Sequence, residues 1–306
     1  MNTDSIIKVD NLRKTYGSTV AVDNISFEVF EVEIFGMVGP NGAGKTTTIE
    51  CIEGLRKYDS GSVNVLGKDP SKDGSALKPV IGIQLQQSEL QQRIKVWEAL
   101  DLYSSIYPKS TDWTILLDQL GLTEKRNEFF SKLSGGQKQR LFIALALVND
   151  PVIVFLDELT TGLDPQARRA MWDLVENMKD RGKTVYLTTH FMEEAERLCD
   201  RVAIIDHGKI IALDTPADLI KNHSPDERIE FAAAGSFDPE DLKNLEGISK
   251  VEKTDDKFII YGTGKNLMQN VVNYLSEKQI NYSNFRSERS TLEDVFLKLT
   301  GREMRD

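Results

Sequence analysis

The sequence predicts an α/β protein: a mainly parallel sheet covered by helices, carrying a phosphate-binding loop, with a small α+β domain behind it. Three observations predict this. Residues 39–47 read Gly39-Pro40-Asn41-Gly42-Ala43-Gly44-Lys45-Thr46-Thr47 and fit the pattern G-x-x-x-x-G-K-[ST]. From residue 152 onward, short apolar runs alternate with amphipathic stretches, the rhythm of a parallel sheet with crossover helices. After residue 222 the order restarts as strand, helix, two strands, helix, strand.

Taken in order, residues 5–34 alternate apolar runs (6–9, 20–22, 25–29) with turns, which predicts antiparallel strands leading into the glycine loop. Glu33-Ile34-Phe35-Gly36-Met37-Val38 is a short apolar run, expected as a buried strand. Residues 46–55 can continue as a helix. Strand, glycine loop and helix together aim a helix N-terminus at an anion. Residues 60–68 and 81–86 add strands. From about 88 to 133 the texture turns helical, with Val96, Leu100, Tyr103 and Tyr107, then Trp113, Leu116, Leu117 and Leu120, at helical spacing. This predicts a helical subdomain over about 88–150. Then come strand 152–156, helix 167–180, strand 184–187, helix 192–198 and final strands 201–205 and 209–213.

A boundary is expected at Asn222-His223-Ser224-Pro225, giving domains 1–222 and 223–306. The second domain reads as strand 228–232, helix 239–245, a strand pair turning at Asp255-Asp256, a helix with Leu267, Met268, Val271, Val272 and Leu275 on one face, and a strand near 282–286. This β-α-β-β-α-β order is ferredoxin-like. A last helix carries Leu292, Val295, Phe296 and Leu299 on one face, with Thr291 and Asp294 as its capping pair and Gly301 as its stop.

Composition narrows the class. The chain has 306 residues, 40% hydrophobic and 28% charged, with net charge −10, which suits a globular protein. Its longest apolar runs fall far short of the ~20 residues of a membrane-spanning helix. No basic stretch followed by an apolar core opens the chain, so no secretory signal is expected. Cys51 and Cys199 read as reduced thiols of a cytosolic protein. His190, His207 and His223 form no metal-ligand spacing. Both domains are mildly acidic and neither has a basic run, so no nucleic-acid partner is expected.

Three motifs carry chemistry. In the first, the glycines let the backbone turn its N–H groups onto an anion. Lys45 supplies a charge for phosphates and Thr46 a hydroxyl for Mg²⁺. The second is Val152-Ile153-Val154-Phe155-Leu156-Asp157-Glu158, an apolar strand that delivers carboxylates to the carboxyl edge of the sheet. Asp157 suits Mg²⁺ through water, and Glu158 suits polarising an attacking water. Taken by themselves, the two acids could also simply end a strand. The third is Leu133-Ser134-Gly135-Gly136-Gln137. Here Ser134 can cap the helix that follows, creating a second N-terminus suited to phosphate. The plain alternative is a flexible Ser-Gly-Gly turn.

These three motifs, in this order, resemble the ATP-binding cassette (ABC) ATPases over about residues 5–220. The resemblance implies a P-loop NTPase fold with an antiparallel β subdomain, a parallel-sheet core and a helical subdomain. It also implies ATP and Mg²⁺ as cofactors, held by Lys45, Thr46, Gln86 and Asp157. Two subunits, identical or homologous, would face each other head to tail. Each ATP would then lie between one glycine loop and the other subunit's Ser134, Gly135, Gly136 and Gln137. Glu158, His190, Lys45 and Gln86 would be catalytic. Gln86 matches the family glutamine that touches Mg²⁺ and water, although Gln84 and Gln87 offer neighbouring registers. Gly162-Leu163-Asp164 matches the loop that crosses the dimer interface. Tyr16, before Gly17, matches the aromatic that stacks on adenine, with a core or rim tyrosine as the alternative.

Two positions depart from the family pattern. Leu159 replaces a common Pro, for which altered loop stiffness is the most that is expected. Phe30-Glu31-Val32-Glu33 lacks the usual turn glycine, and Val32 resists positive φ, so a differently shaped turn is expected. Residues 291–301 resemble the tail of the drug and antibiotic-resistance exporter branch. The resemblance implies an exporter's ATPase subunit, peripheral on the cytoplasmic face, driving separate transmembrane permease subunits. A soluble ABC ATPase without a membrane partner, acting in assembly, translation or repair, is the second reading. A P-loop kinase or GTPase is the third, disfavoured by the Leu133–Gln137 motif and by the absence of a guanine-specifying N-K-x-D.

Overall fold

A computed structural model describes residues 4–86, 89–223, 227–233, 242–254, 257–264 and 266–301. Outside these lie Gln87, Ser224, Pro225, the turn at Asp255-Asp256 and the start of the helix expected over 239–245. The chain divides into two compact units between Pro216 and Ala217.

The first unit opens with β1 (Ser5–Tyr16) and β2 (Thr19–Phe30), followed by β3 (Ile34–Val38), α1 (Lys45–Ile52) and β4 (Ser60–Val65). β1, β2 and β4 form an antiparallel sheet in the order β2-β1-β4. The runs expected as separate strands at 20–22 and 25–29 are one strand, with a register shift where Asn24 takes φ 54. A short helix the sequence reading passed over, α2 (Pro70–Leu77), follows. Its signal was present: Asp69 caps it, accepting from Ser71 N at 2.9 Å, and Pro70 occupies the first turn.

The remainder runs β5 (Ile81–Gln84), α3 (Val96–Ile106), α4 (Trp113–Gln119), α5 (Gly135–Leu147), β6 (Ile153–Asp157), α6 (Pro165–Asp180), β7 (Thr184–Thr189), α7 (Met192–Leu198), β8 (Arg201–Asp206) and β9 (Lys209–Asp214). A six-stranded sheet forms in the order β5-β6-β7-β3-β8-β9. The first five strands are parallel, and β3, β6 and β7 are buried along their whole length, as helices on both faces require. β9 turns back antiparallel through His207 and Gly208, both at positive φ.

One core joins the two sheets of this unit. Ile7, Val9, Val63 and Val65 share it with Phe35, Met37, Phe155 and Tyr186 and with Ile49 and Ile52 of α1. The Phe27 and Phe35 rings stack at 5.3 Å, and Tyr186 lies 5.8 Å from Phe155. This packing fixes α1 against the sheet, and with it the loop that precedes α1.

The turn before β3 keeps its left-handed residue. Val32 sits at φ 57 instead of reshaping the turn as expected. Its N–H donates to Thr184 Oγ1 at 2.8 Å, while Glu33 accepts from Phe30 N at 2.7 Å and pairs with Arg201 at 3.3 Å. These bonds hold a conformation that a β-branched residue resists.

The second unit takes in most of α8 (Pro216–His223), which the sequence reading placed before the boundary. Then come β10 (Glu227–Ala233), β11 (Ile248–Thr254), β12 (Lys257–Gly262), α9 (Leu267–Glu277), β13 (Tyr282–Arg289) and α10 (Leu292–Thr300). The sheet order β11-β12-β10-β13, antiparallel throughout, is the ferredoxin-like arrangement. Ile229, Phe231, Phe258 and Ile260 pack on Leu267, Val271 and Leu275 of α9. Thr291 and Asp294 form the capping box of α10, and Gly301 ends it at φ 69.

Candidate active site

The parallel strands end at one edge, and strand order decides what meets there. β7 lies between β3 and β6, and the register pairs Met37 with Thr188 and Thr188 with Asp157. The glycine loop after β3, the carboxylates at the end of β6 and His190 after β7 are therefore neighbours.

The loop needs its glycines. A Cβ on Gly39 would stand 2.2 Å from Ile205 O, and one on Gly44 would stand 2.4 Å from Ala21 O. Gly44 also sits at φ 108 as the residue before α1, and no side chain caps that helix. The N–H groups at its start are left for an anion. The cavity here is lined by Ala21, Asn41, Gly42, Lys45, Thr46 and Glu158, with Gln86 at its side. Lys45 is buried; its Nζ donates to Gly39 O at 2.8 Å and Pro40 O at 3.1 Å and lies 3.6 Å from Glu158 Oε1. Burial lowers the Lys45 pKa, and Glu158 opposes that shift. A buried ammonium over a ring of N–H donors fits a polyphosphate.

Thr46 Oγ1 lies 3.5 Å from Asp157 Oδ1. Asp157 is buried, and burial raises its pKa despite a hydrogen bond from Thr188 Oγ1. A buried carboxylate beside a hydroxyl suits a hard divalent cation that also takes phosphate oxygens. Among the described residues no group of three His, Cys, Asp or Glu gathers as a metal site, and Gln86, the third residue expected on the cation, lines the same cavity.

Glu158 is the point of convergence. Its Oε2 accepts from Gln86 Nε2 at 2.8 Å and from Thr161 Oγ1 at 3.3 Å. His190 Nδ1 has no hydrogen-bond partner and lies 3.5 Å from Glu158 Oε1. The Glu158 backbone sits at φ 50, held by its N–H on Thr188 O at 3.1 Å and on Thr188 Oγ1 at 3.2 Å. Leu159, which stands where proline was anticipated, is buried. Thr188 and Thr161 escaped the sequence reading. Their signal was position, Thr188 two residues before His190 and Thr161 three after Glu158.

Other expected residues lie outside this cavity wall. Ser134 and Gln137 cap α5 reciprocally, with Ser134 N donating to Gln137 Oε1 at 2.9 Å and Gln137 N to Ser134 Oγ at 3.3 Å. A Cβ on Gly136 would lie 3.3 Å from the Ala167 Cβ, whereas Gly135 has room. Exposed Asp164 caps α6, accepting from Ala167 N at 2.9 Å. The start of α5 is thereby packed beside the loop that carries Asp164. Tyr16 is 43% exposed, with Lys14 and Arg56 at 5.5 and 5.4 Å from its ring. Thr47 lines the cavity, and Ala43 N donates to Pro40 O at 3.1 Å, closing the loop on itself.

Comparison with known proteins agrees with this geometry. Residues 22–161 match the ABC transporter family model, and residues 216–300 match the C-terminal domain of DrrA1-3-like ATP-binding proteins. The chain is 38% identical over 313 residues to Nod factor export ATP-binding protein I of Paraburkholderia xenovorans (strain LB400), covering 99% of each chain. It is 37% identical to the protein of that name from Burkholderia orbicola (strain AU 1054), covering 99% of this chain and 100% of the other. Among solved structures it resembles an ATP-binding subunit of an ABC transporter, with TM-score 0.65 and 27% identity over 71% of this chain and 93% of that one. It also resembles a dimeric bacterial ABC transporter cassette, with TM-score 0.62 and 27% identity over 68% of this chain and 98% of that one. The chain belongs to the ABC transporter family, as an ATP-binding and ATP-hydrolysing subunit with a DrrA-type C-terminal domain.

Proposed function

We propose that this chain powers export through separate membrane subunits by a hydrolytic cycle centred on Glu158. The observation that carries the reading is the convergence of Gln86, His190 and Lys45 on the Glu158 carboxylate, beside Thr46 and Asp157. ATP, when bound, supplies the γ-phosphoryl group, with Mg²⁺ to spread its charge. Lys45 and the N–H groups of the glycine loop would hold the phosphates, and Thr46, Gln86 and Asp157 would hold the cation. Gln86 keeps one Glu158 oxygen in place. The other accepts the proton of the attacking water, and His190 steadies the phosphate.

The site is half of a pair. Ser134, Gly135, Gly136 and Gln137 start a helix outside their own cavity wall, so they complete the site of a second subunit, with Asp164 beside them. Tyr16 carries the adenine on its exposed ring. The export proteins among its relatives and the DrrA-type tail support export. Among the described residues no helix is long and apolar enough to cross a membrane, so the transport path belongs to partner subunits, with this chain on the cytoplasmic face.

The test is Glu158→Gln. Phosphate release falls by about 10²-fold or more while ATP binding persists. Hydrolysis at the wild-type rate would remove Glu158 from the mechanism.

A further inference from the structure

One buried carboxylate has no place in the cavity wall and no part in the hydrolytic cycle. Glu194 lies on α7 and is only 2% exposed. Its Oε1 accepts from Trp172 Nε1 of α6 at 3.0 Å, a bond buried at both ends. A carboxylate is costly to bury unless polar groups surround it. Burial raises the Glu194 pKa, and the Thr189 hydroxyl opposes that shift most, followed by Thr160, Trp172 and the charge of Arg168. Thr160 Oγ1 completes no hydrogen bond, which leaves Thr189 and Trp172 as the groups that hold the carboxylate.

The two holders come from different parts of the site. Thr189 ends β7, immediately before His190. Trp172 belongs to α6, the helix capped by Asp164. Thr189 also fixes the residue after His190, since its Oγ1 accepts from Phe191 N at 3.0 Å. The Phe191 ring lies 4.1 Å from the His190 ring, and the Arg168 guanidinium of α6 stands 4.2 Å over Phe191. His190 is therefore gripped by its neighbours on both sides, and both grips lead to α6. His190 Nδ1 has no hydrogen bond of its own, so the ring takes its direction from these neighbours.

We propose that Glu194 is a positioning residue for His190. Through Thr189 and Trp172 it ties the segment that carries His190 to α6, so the histidine meets the phosphate only with α6 in place. The inference rests on the proposed contact of His190 with the phosphate. It goes beyond that contact by naming what aims the ring, and by linking His190 to the helix whose cap is expected at the second subunit.

The experiment measures phosphate release from radiolabelled ATP by full-chain variants, with melting temperature as the check of folding. Glu194→Ala and Trp172→Phe each lower kcat about three- to tenfold, the effect of one lost buried hydrogen bond, and leave the KM for ATP nearly unchanged. Glu194→Gln still accepts from Trp172 and can still bond Thr189, so its kcat stays within about twofold of wild type. In a His190→Ala background, Glu194→Ala and Trp172→Phe have no further effect, because a positioning residue acts only through the residue it positions. Equal losses in both backgrounds would mean that Glu194 merely fastens α7 to α6, and would overturn the proposal while leaving the role of His190 intact. Wild-type release by His190→Ala would instead remove His190 from the reaction, and the proposal with it.

A second readout needs no turnover. The ring-proton NMR signal of His190, identified by its loss in His190→Ala, moves in Glu194→Ala and returns in Glu194→Gln. The signals of His207 and His223 stay in place. A His190 signal that ignores Glu194→Ala in the folded chain overturns the proposal. Should Glu194→Ala fail to fold, unchanged release by Trp172→Phe does the same.

Discussion

Gln86 Nε2 donates to Glu158 Oε2 over 2.8 Å, tying the segment after β5 to the end of β6 across 72 positions of sequence. Glu158 itself rests at φ 50, a conformation non-glycine residues resist. A carboxylate on a strained backbone stays aimed only if its neighbours hold it, and Gln86 is the closest of them.

The first prediction follows from that bond. A hydrogen bond to a charged group contributes about 1.5–3 kcal/mol. Gln86→Ala therefore lowers kcat about tenfold or more and leaves the KM for ATP nearly unchanged. Steady-state phosphate release measures both. A weakened KM at full kcat would assign Gln86 to ATP binding and not to aiming Glu158.

The second concerns the shared site. Ser134→Asp keeps the cap of α5, since Asp caps as well as Ser, but sets a negative charge against a phosphate. Lys45→Ala disables the glycine loop. Each variant is inactive by itself. Mixed in equal amounts, they form heterodimers with one intact site, and hydrolysis returns. Activity that stays absent in the mixture, with dimers shown by size-exclusion chromatography, would count against a site split between subunits.

The third concerns pH. Burial raises the pKa values of Glu53, Glu194, Glu33 and Asp157. The folded chain then keeps protons that the unfolded chain has released, so stability falls as pH rises from the ordinary carboxylate range through the raised values. Asp59 and Asp69, lowered to about 2, act oppositely, but their contribution is lost only below their ordinary range. Without nucleotide or Mg²⁺, the urea midpoint is thus higher at about pH 5.5 than at about pH 7.5. Glu53→Leu reduces the difference. A midpoint that rises across this window contradicts the assignment.

The fourth concerns the turn before β3. Val32 holds φ 57, where a side chain costs about 1–2 kcal/mol. Val32→Gly removes that strain but adds freedom to the unfolded chain, for a net gain of about 0.5 kcal/mol. The Val32 N–H bond to Thr184 is retained. Chemical denaturation reads the gain, and a loss of stability would show that the half-buried Val32 side chain matters more than its backbone.

Much of the site was legible because its residues are local in sequence. The glycine loop needs positive φ and close backbone approach within a few residues, and only glycine supplies both, so Gly39, Gly42 and Gly44 announce it. Asp157 and Glu158 were legible because an apolar strand must stop where its acids meet water or a ligand. Ser134 and Gln137 wrote their reciprocal cap into a spacing of three. Thr188 was not legible. It acts across the sheet, through a parallel register with Asp157 that no local pattern encodes. The two runs expected over 20–22 and 25–29 form the single strand β2 for a related reason. Turn residues mark where the chain bends, while pairing decides whether a strand ends there.

The sequence by itself determined the element order, the phosphate loop, the carboxylates at the strand end and the family, because these depend on residue type and short spacing. The tertiary structure decided what those residues do together. Inserting β7 between β3 and β6 set Asp157 beside Thr46 and brought Glu158 within reach of Lys45, Gln86 and His190. Packing after the end of α1 also buried Glu53, with both carboxylate oxygens lacking a hydrogen-bond partner. Strand order and burial arise from packing residues far apart in the chain, and only the folded chain contains them.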